Sequence, residues 1–392
     1  MENIAVVFGG RSVEHEVSII TGMQIMENMD KTKYNPIPVY VTKEGRFLSG
    51  ESLKNISTFK HRDFSETKEV FFKGFANDKN LYTIESKKGG LFSSKSTSLE
   101  VYEKIDVVFP ALHGTNGEDG TFQGLLEMVN IPYVGCGVMS AAVGMDKIAM
   151  KEVFKAQNIP MTNYIYFYRN QWKKNQESIL NSAEEMGYDF FVKPANLGSS
   201  IGISKAKNRD ELIKAIDIAA NYDSKIIIEK AVLNPREINV AVLGYEDDLR
   251  VSLCEEPLGW KDLLSYEDKY IQGAKNGKAG MKGQKKKLPA DLEEGMQKHI
   301  ENLAIISFKA IDAAGVARID FLVDGEEVYV NEINTLPGSI SFYLFEQKGL
   351  SFTQLITELI EIAHKKYKNN LENITSYDSD LLKKTSYGAK IQ

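Results

Sequence analysis

Apolar runs of strand length alternate with stretches of helical spacing over most of the chain. The first run, IAVVF at residues 4–8, breaks at Gly9-Gly10 and passes into RSVEHEVSIITGMQIMENM, which is helical in spacing from about Glu14. Residues 35–42 (NPIPVYVT) predict a second strand, so the chain opens as a parallel β-α-β unit. Residues 43–99 loosen into short segments with Gly-rich breaks, predicting an insertion of hairpins and loops. Order returns with a strand at 105–111, one helix at 138–157, and a strand at 190–193. An amphipathic helix at 211–222, strands at 225–228 and in REINVAVLG, and a long helix at 292–314 follow. Ser351 opens the last helix with Gln354 as its capping-box partner, and Leu355, Ile356, Leu359, Ile360 and Ala363 form its buried stripe. The tail from about Lys368 is polar, and no internal repeat is present.

The most informative pattern is RIDFLVDGEEVYVNEINTLPG, residues 318–338, which predicts a β-hairpin with its turn at Asp324-Gly325. Alternation puts Ile319, Phe321 and Val323 on one face, Arg318 and Asp320 on the other, and Glu332 and Asn334 together on one face of the second strand. The polar pairs share a face only if the loop holds an odd number of residues. A three-residue loop, Gly325 to Glu327, then sets Asp320 opposite Glu332 and Arg318 opposite Asn334. Two carboxylates across a ladder repel, so the pair calls for a cation. With the Asn334 amide oxygen the set suits Mg²⁺, which completes its shell with water and phosphate oxygens. A solvated sheet edge is the plain alternative, but the acid, the amide and a Pro-Gly turn close an apolar strand, where sites tend to be built.

Composition narrows the function. At 392 residues the chain has room for two or three domains. Its 48 basic and 54 acidic residues give a net charge of −6, so nothing global favours nucleic acid or a membrane surface, and any polyanion must be held locally. Two cysteines, Cys136 and Cys254, make no disulfide framework, and no basic-then-apolar leader precedes the first strand, which predicts a reducing cytoplasm. No apolar run has the length of a membrane span.

Further candidate chemistry lies in loops and at strand ends. Glu14 to Glu16 sit in the first turn of a helix, where acids are favourable with or without a ligand. His113 and Glu118 fall in a Gly-rich loop before a helix. GSSIG, after Lys193-Pro194, reads as a flap whose N–H groups and hydroxyls can wrap phosphate, although it lacks the P-loop ending and the dinucleotide spacing. Glu229, Lys230 and Glu237 end or enter strands near a domain junction. Residues 271–287 collect glycines and lysines without periodicity, predicting a mobile loop that is either a linker or a basic lid over a polyphosphate.

In order, FGGRSVEHEVS, ALHGTNGEDGTFQG, FVKPANLGSSIG, IIIEK with Glu237, EDKY, and RIDF with NEINTLPG form a set that resembles the D-alanine:D-alanine ligases of the ATP-grasp superfamily. The resemblance covers about residues 1–365, apart from 43–99. It implies an α/β chain with a Rossmann-like N-terminal domain at 1–137, a central ATP-grasp lid at 138–232, a C-terminal ATP-grasp domain at 233–367, and a tail at 368–392. Lys147, Lys193 and Lys269 with the flap residues Ser199 and Ser200 would then meet ATP, and Glu229, Lys230 and Glu237 its adenine and ribose. Asp320, Glu332 and Asn334 would carry two Mg²⁺, or Mn²⁺. The implied reaction phosphorylates one D-alanine and lets the amine of a second attack the acyl phosphate. Glu14 would hold the first ammonium, linked through Ser199 to Tyr270, while Arg318 and the Gly338 N–H stabilise the oxyanion. His113 joins the substrate set.

The chain departs from the family after NTLPG. A serine and a leucine usually bind the second substrate there, but this chain reads SISFYLFEQKG, with Tyr343 and Leu344 in their place, so Ser339, Ser341 or Tyr343 is expected to substitute. D-Serine and D-lactate are the alternative acceptors, and Tyr270 argues against lactate because ester-forming ligases usually carry His there. A nucleotide-binding regulatory protein without ligase chemistry is the other class, opposed by the retained Arg318, Asp320, Glu332 and Asn334. The family suggests a homodimer.

Overall fold

The computed structural model describes residues 1–87, 96–258 and 286–379. Parallel pairing of Glu2–Gly9 with Tyr34–Val41 and Val107–Pro110 bears out the β-α-β start. Residues 43–99 continue the same sheet. Phe47–Ser49, Lys68–Phe72, Asn80–Lys87 and Ser96–Lys104 add to it antiparallel, and the sheet reaches seven strands.

A second, four-stranded sheet joins Ser204–Ala206, Phe190–Pro194, Lys225–Lys230 and Tyr164–Tyr168, backed by the helix Arg209–Tyr222 and a core around Phe167, Trp172 and Phe190. The third sheet orders Asp248–Val251, Arg236–Tyr245, Gly315–Asp324 and Glu327–Asn334, with the helix Glu294–Ala310 packed on its apolar face. That helix is shorter at both ends than the predicted 292–314. The helix Phe352–Leu371 has the predicted capping box, and its stripe packs into one core with Ile4, Val6 and Phe8 of the first sheet and Ala241, Leu243 and Val316 of the third.

The predicted hairpin register is present but is reached by another route. Arg318 lies opposite Asn334 and Asp320 opposite Glu332, yet the turn holds two residues, Gly325 and Glu326, and not three. The odd residue is Asn331, bulged where the register shifts between Asp320 and Phe321. The predicted single helix at 138–157 is also corrected. Two helices, Val138–Met145 and Lys147–Ala156, meet at Asp146, whose extended backbone (φ −85°, ψ 103°) breaks the first and whose carboxylate caps the second through Ile148 N–H and Ala149 N–H. The break puts Lys147 at a helix start.

Because that cap satisfies two otherwise orphaned donors, and Asp146 also pairs with Lys225, Asp146→Ala is expected to destabilise the fold by about 1 kcal/mol or somewhat more. A urea midpoint equal to that of the unmodified chain would contradict it.

Candidate active site

The third sheet turns one row of polar side chains toward a cleft. Ladder pairing sets Glu332 opposite Asp320, Asp320 opposite Asn239, and Asn239 opposite Glu255, and directly opposed residues project from the same face. Beside this row, Arg318 grips Asp320 through Nε to Oδ1 at 2.6 Å and Nη2 to Oδ2 at 2.7 Å. Asn334 Nδ2 donates to Asp320 Oδ2 at 3.1 Å. Burial opposes the guanidinium charge, but Asp320 outweighs it and holds Arg318 well above its ordinary range. Burial also pushes the Asp320 carboxyl up against the pull of Arg318, and Glu332 adds to the push.

This donor set fits a hard divalent ion. Two carboxylates oppose each other, Asn334 adjoins them, and the buried side-chain oxygen of Asn239 finds no hydrogen-bond partner among the described residues. Among the described residues no group of three or more His, Cys, Asp or Glu is gathered for a metal. The protein donors are therefore few, and an ion here keeps positions for water and phosphate oxygens.

The N-terminal loops face the row with Glu14, His113 and Glu118. Glu14 precedes the helix His15–Asn28, and its carboxylate accepts from the Ser199 hydroxyl of the flap. Two glycines permit the approach. A Cβ at Gly198 would lie 3.1 Å from Glu14 Oε2, and one at Gly114, where φ is +74°, 2.7 Å from it and 2.4 Å from Ser12 Oγ. Glu118 Oε2 accepts from Gly114 N–H at 2.6 Å. Burial, with the Glu14 carboxylate next, raises the Glu118 carboxyl well up and favours its protonated form. His113 Nε2 lies 2.9 Å from Thr21 Oγ1, and burial lowers its ring to about 4, so it is neutral near pH 7.

Lysines dominate the other side. Lys147 Nζ donates to the Leu197 carbonyl of the flap at 2.8 Å. Lys193 Nζ donates to Glu229 Oε2 at 2.7 Å and to the bulged Asn331 at 3.4 Å. Lys151, one turn beyond Lys147 and 0% exposed, sits 3.7 Å from the other Glu229 oxygen. Burial opposes the charge of Glu229, but Lys151 and Lys193 outweigh it and hold the carboxyl down at about 2. Three ammonium groups around one acid leave positive charge in excess, as a polyphosphate requires.

Most of the predicted residues converge. Glu14, His113, Ser199, Glu237, Arg318, Asp320, Glu332, Asn334, Gly338 and Tyr343 line one cleft. Ser200 adjoins Ser199 in the flap, both in left-handed backbone at φ 58° and 55°. Lys230 is a correction, because alternation turns it away from Glu229 and its ammonium donates to the Gly187 and Tyr188 carbonyls. Ser339 and Ser341 are corrections too. Ser339, Ile340 and Ser341 all take left-handed backbone at φ 51°, 47° and 50°, the coil turns inward, and neither serine lines the cleft. Ser341 is 0% exposed. Lys269, Tyr270 and the lysine-rich stretch up to residue 285 lie outside the described residues.

Sequence reading missed Lys151, Asn239, Glu255 and Lys286. Lys151 was legible as the fourth residue after Lys147 on one helix face, and Asn239 as the second after Glu237 on one strand face. Glu255 and Lys286 carried no such signal, being one acid of a pair and one lysine of a run. Glu255 accepts the Tyr343 hydroxyl at 2.9 Å, and Lys286 lies 2.8 Å from its other oxygen. Burial, then Glu255, raises the Tyr343 phenol far above its usual range and keeps it a donor.

Residues 3–136 match the family described as D-ala D-ala ligase N-terminus, and residues 153–361 match D-ala D-ala ligase C-terminus. A D-alanine--D-alanine ligase of Acetivibrio thermocellus is 40% identical over 388 residues, covering 95% of this chain and 98% of that one. Among solved structures, the D-alanine-D-alanine ligase from Coxiella burnetii is 29% identical with a TM-score of 0.76, covering 95% of this chain and 96% of that one. The VanG D-Ala:D-Ser ligase from Enterococcus faecalis is 31% identical with a TM-score of 0.77, covering 92% and 99%.

Two outcomes follow from the packing at this end of the cleft. Gly114→Ala should abolish activity in a folded protein, since its Cβ would collide with Glu14 and Ser12; normal turnover would contradict the packing. Unfolding should depend on pH through His113, whose pKa is about 4 in the folded chain and 6.5 when unperturbed. The unfolded chain binds more protons between those values, so this contribution, about 3 kcal/mol, is full above pH 6.5 and lost as pH falls toward 4. Urea titrations across that window should give a steeper fall than in His113→Gln, and equal slopes would refute it.

Proposed function

The chain belongs to the D-alanine–D-alanine ligase family, and on that premise we propose how its cleft joins two D-alanine molecules through an acyl phosphate. It is an ATP-dependent ligase that makes D-alanyl-D-alanine for peptidoglycan precursors. One observation carries the site assignment. A single cleft gathers the Glu14–Ser199 pair, the Arg318–Asp320 clamp, the opposed Asp320 and Glu332, and Gly338.

Each part has a task. Lys147 and Lys193, with the flap serines Ser199 and Ser200, neutralise and orient the phosphates, which is most of what phosphoryl transfer asks of a protein. Glu237 lines the cleft as the ribose partner. The side chains of Glu229 and Lys230 are committed elsewhere, which leaves their backbone for adenine. Asp320, Glu332 and Asn334 would hold Mg²⁺, two ions by family resemblance, which when bound withdraws charge from the transferring phosphoryl group. Glu14 holds the ammonium of the first D-alanine, with His113 as a neutral neighbour. Arg318 and the Gly338 N–H meet the oxyanion that forms when the second amine attacks. The reaction draws on cytoplasmic ATP, so we infer a cytoplasmic enzyme, and the family suggests a homodimer. D-Serine is the second reading of the acceptor, supported by the likeness to a D-Ala:D-Ser ligase.

The test is ADP release from ATP and Mg²⁺ with D-alanine alone and with D-serine or D-lactate added, followed by product mass. D-Alanyl-D-alanine is expected as the main product. A preferred D-alanyl-D-serine product would move the acceptor, and no turnover with any D-amino acid would leave a nucleotide-binding regulatory protein. Glu332→Gln should lower kcat about a hundredfold at unchanged Tm, and wild-type turnover at saturating ATP and Mg²⁺ would overturn the metal assignment.

A further inference from the structure

One end of the cleft has no task so far. Beyond Glu332, Asp320 and Asn239, the row continues to Glu255, whose backbone exchanges hydrogen bonds with Asn239 at 2.8 and 2.9 Å. The Glu255 carboxylate is 4% exposed and lies between two donors, the Tyr343 hydroxyl at 2.9 Å and the Lys286 ammonium at 2.8 Å. Lys286 also stands over the Tyr343 ring, 3.5 Å from its centroid. All three line the same cleft as Arg318 and Gly338.

We propose that Glu255 and Lys286 form the acceptor subsite, taking the ammonium and the carboxylate of the second amino acid, with the Tyr343 ring as its floor. This rests on the ligase reading above. A buried acid–base pair is a weak source of stability, but it matches an amino-acid zwitterion, whose two charges are one residue apart. Exchanging the internal pair for two intermolecular ones leaves no charge uncompensated. Other holders of the acceptor carboxylate are already engaged. Arg318 gives Nε and Nη2 to Asp320, the Tyr343 hydroxyl donates to Glu255, and neither serine lines the cleft. Strand spacing sets Glu255 roughly 10 Å from Asp320 along the row, room for one amino acid between them. A hydroxy acid brings no ammonium and would leave Glu255 short of a partner, so the subsite selects amine acceptors over D-lactate.

The test compares the full chain with Glu255→Gln, Lys286→Met and Lys286→Arg. The two KM values for D-alanine are resolved at saturating ATP, and D-lactate competes in a second assay. Glu255→Gln and Lys286→Met should each raise the acceptor KM about tenfold or more while the donor KM and ATP KM stay put, and Lys286→Arg should restore most of the loss. Glu255→Gln should also erode the preference for D-alanine over D-lactate, whereas Lys286→Met should weaken both acceptors alike. An unchanged acceptor KM, or donor and ATP values rising together with it, would overturn the subsite. Should Glu255→Gln not fold, Glu255→Asp keeps the charge, shortens its reach and gives the same readout. A wild-type chain that makes no dipeptide refutes the ligase reading, while an active wild type with wild-type-like variants refutes only the subsite.

Discussion

Like charges on adjacent strands repel, and this chain sets three acids and one amide side by side across a single sheet. Glu255, Asn239, Asp320 and Glu332 come from four segments, and the ladder leaves them no freedom to separate. The cations that answer the row come from other places. Arg318 supplies one from within the sheet, and Lys286 another from the ribbon in which Glu256–Pro257 pairs with Lys286–Lys287. The bulged Asn331 carries a further link to Lys193 of the second sheet. Docking of the sheets and neutralisation of the row are therefore one event.

The opposite sign prevails on the nucleotide side. Lys147, Lys151 and Lys193 converge on Glu229, and burial disfavours the charged form of Lys147 and Lys151. The result is a polarised cleft, with excess cation on one wall and excess acid on the other. A polyphosphate carrying a divalent metal has the complementary polarity, anionic toward the lysines and cationic toward Asp320 and Glu332. Neither wall alone would choose that ligand over a simple anion or a simple cation.

What was legible in the sequence followed from short-range rules. The Asp320–Glu332 and Arg318–Asn334 register was readable because alternation and a shared polar face constrain parity. The route to it was not, because the extra residue sits in a bulge at Asn331 and nothing in VYVNEIN distinguishes that asparagine from a regular strand position. The break at Asp146 hid in an unbroken helical pattern, since an aspartate caps a helix as readily as it sits on a helix surface. The acceptor serines were misjudged for a different reason. Chemistry nominated hydroxyls, while three successive left-handed residues decided where they point, and no residue among Ser339, Ile340 and Ser341 announces that backbone.

That left-handed coil ties the acceptor end of the cleft to the N-terminal core. Ile340 is β-branched, 1% exposed, and held at φ 47°, a conformation that such residues rarely adopt unless their surroundings impose it. The imposition comes from its neighbours Tyr343, Leu344 and Phe345 and from the same cluster that contains Ile4, Val6 and Phe8. The coil is thus a sprung element latched by distant packing. Loosening of that core by heat, denaturant or a cavity would release the spring first, and dipeptide synthesis would fade while nucleotide binding and nearly all secondary structure survived.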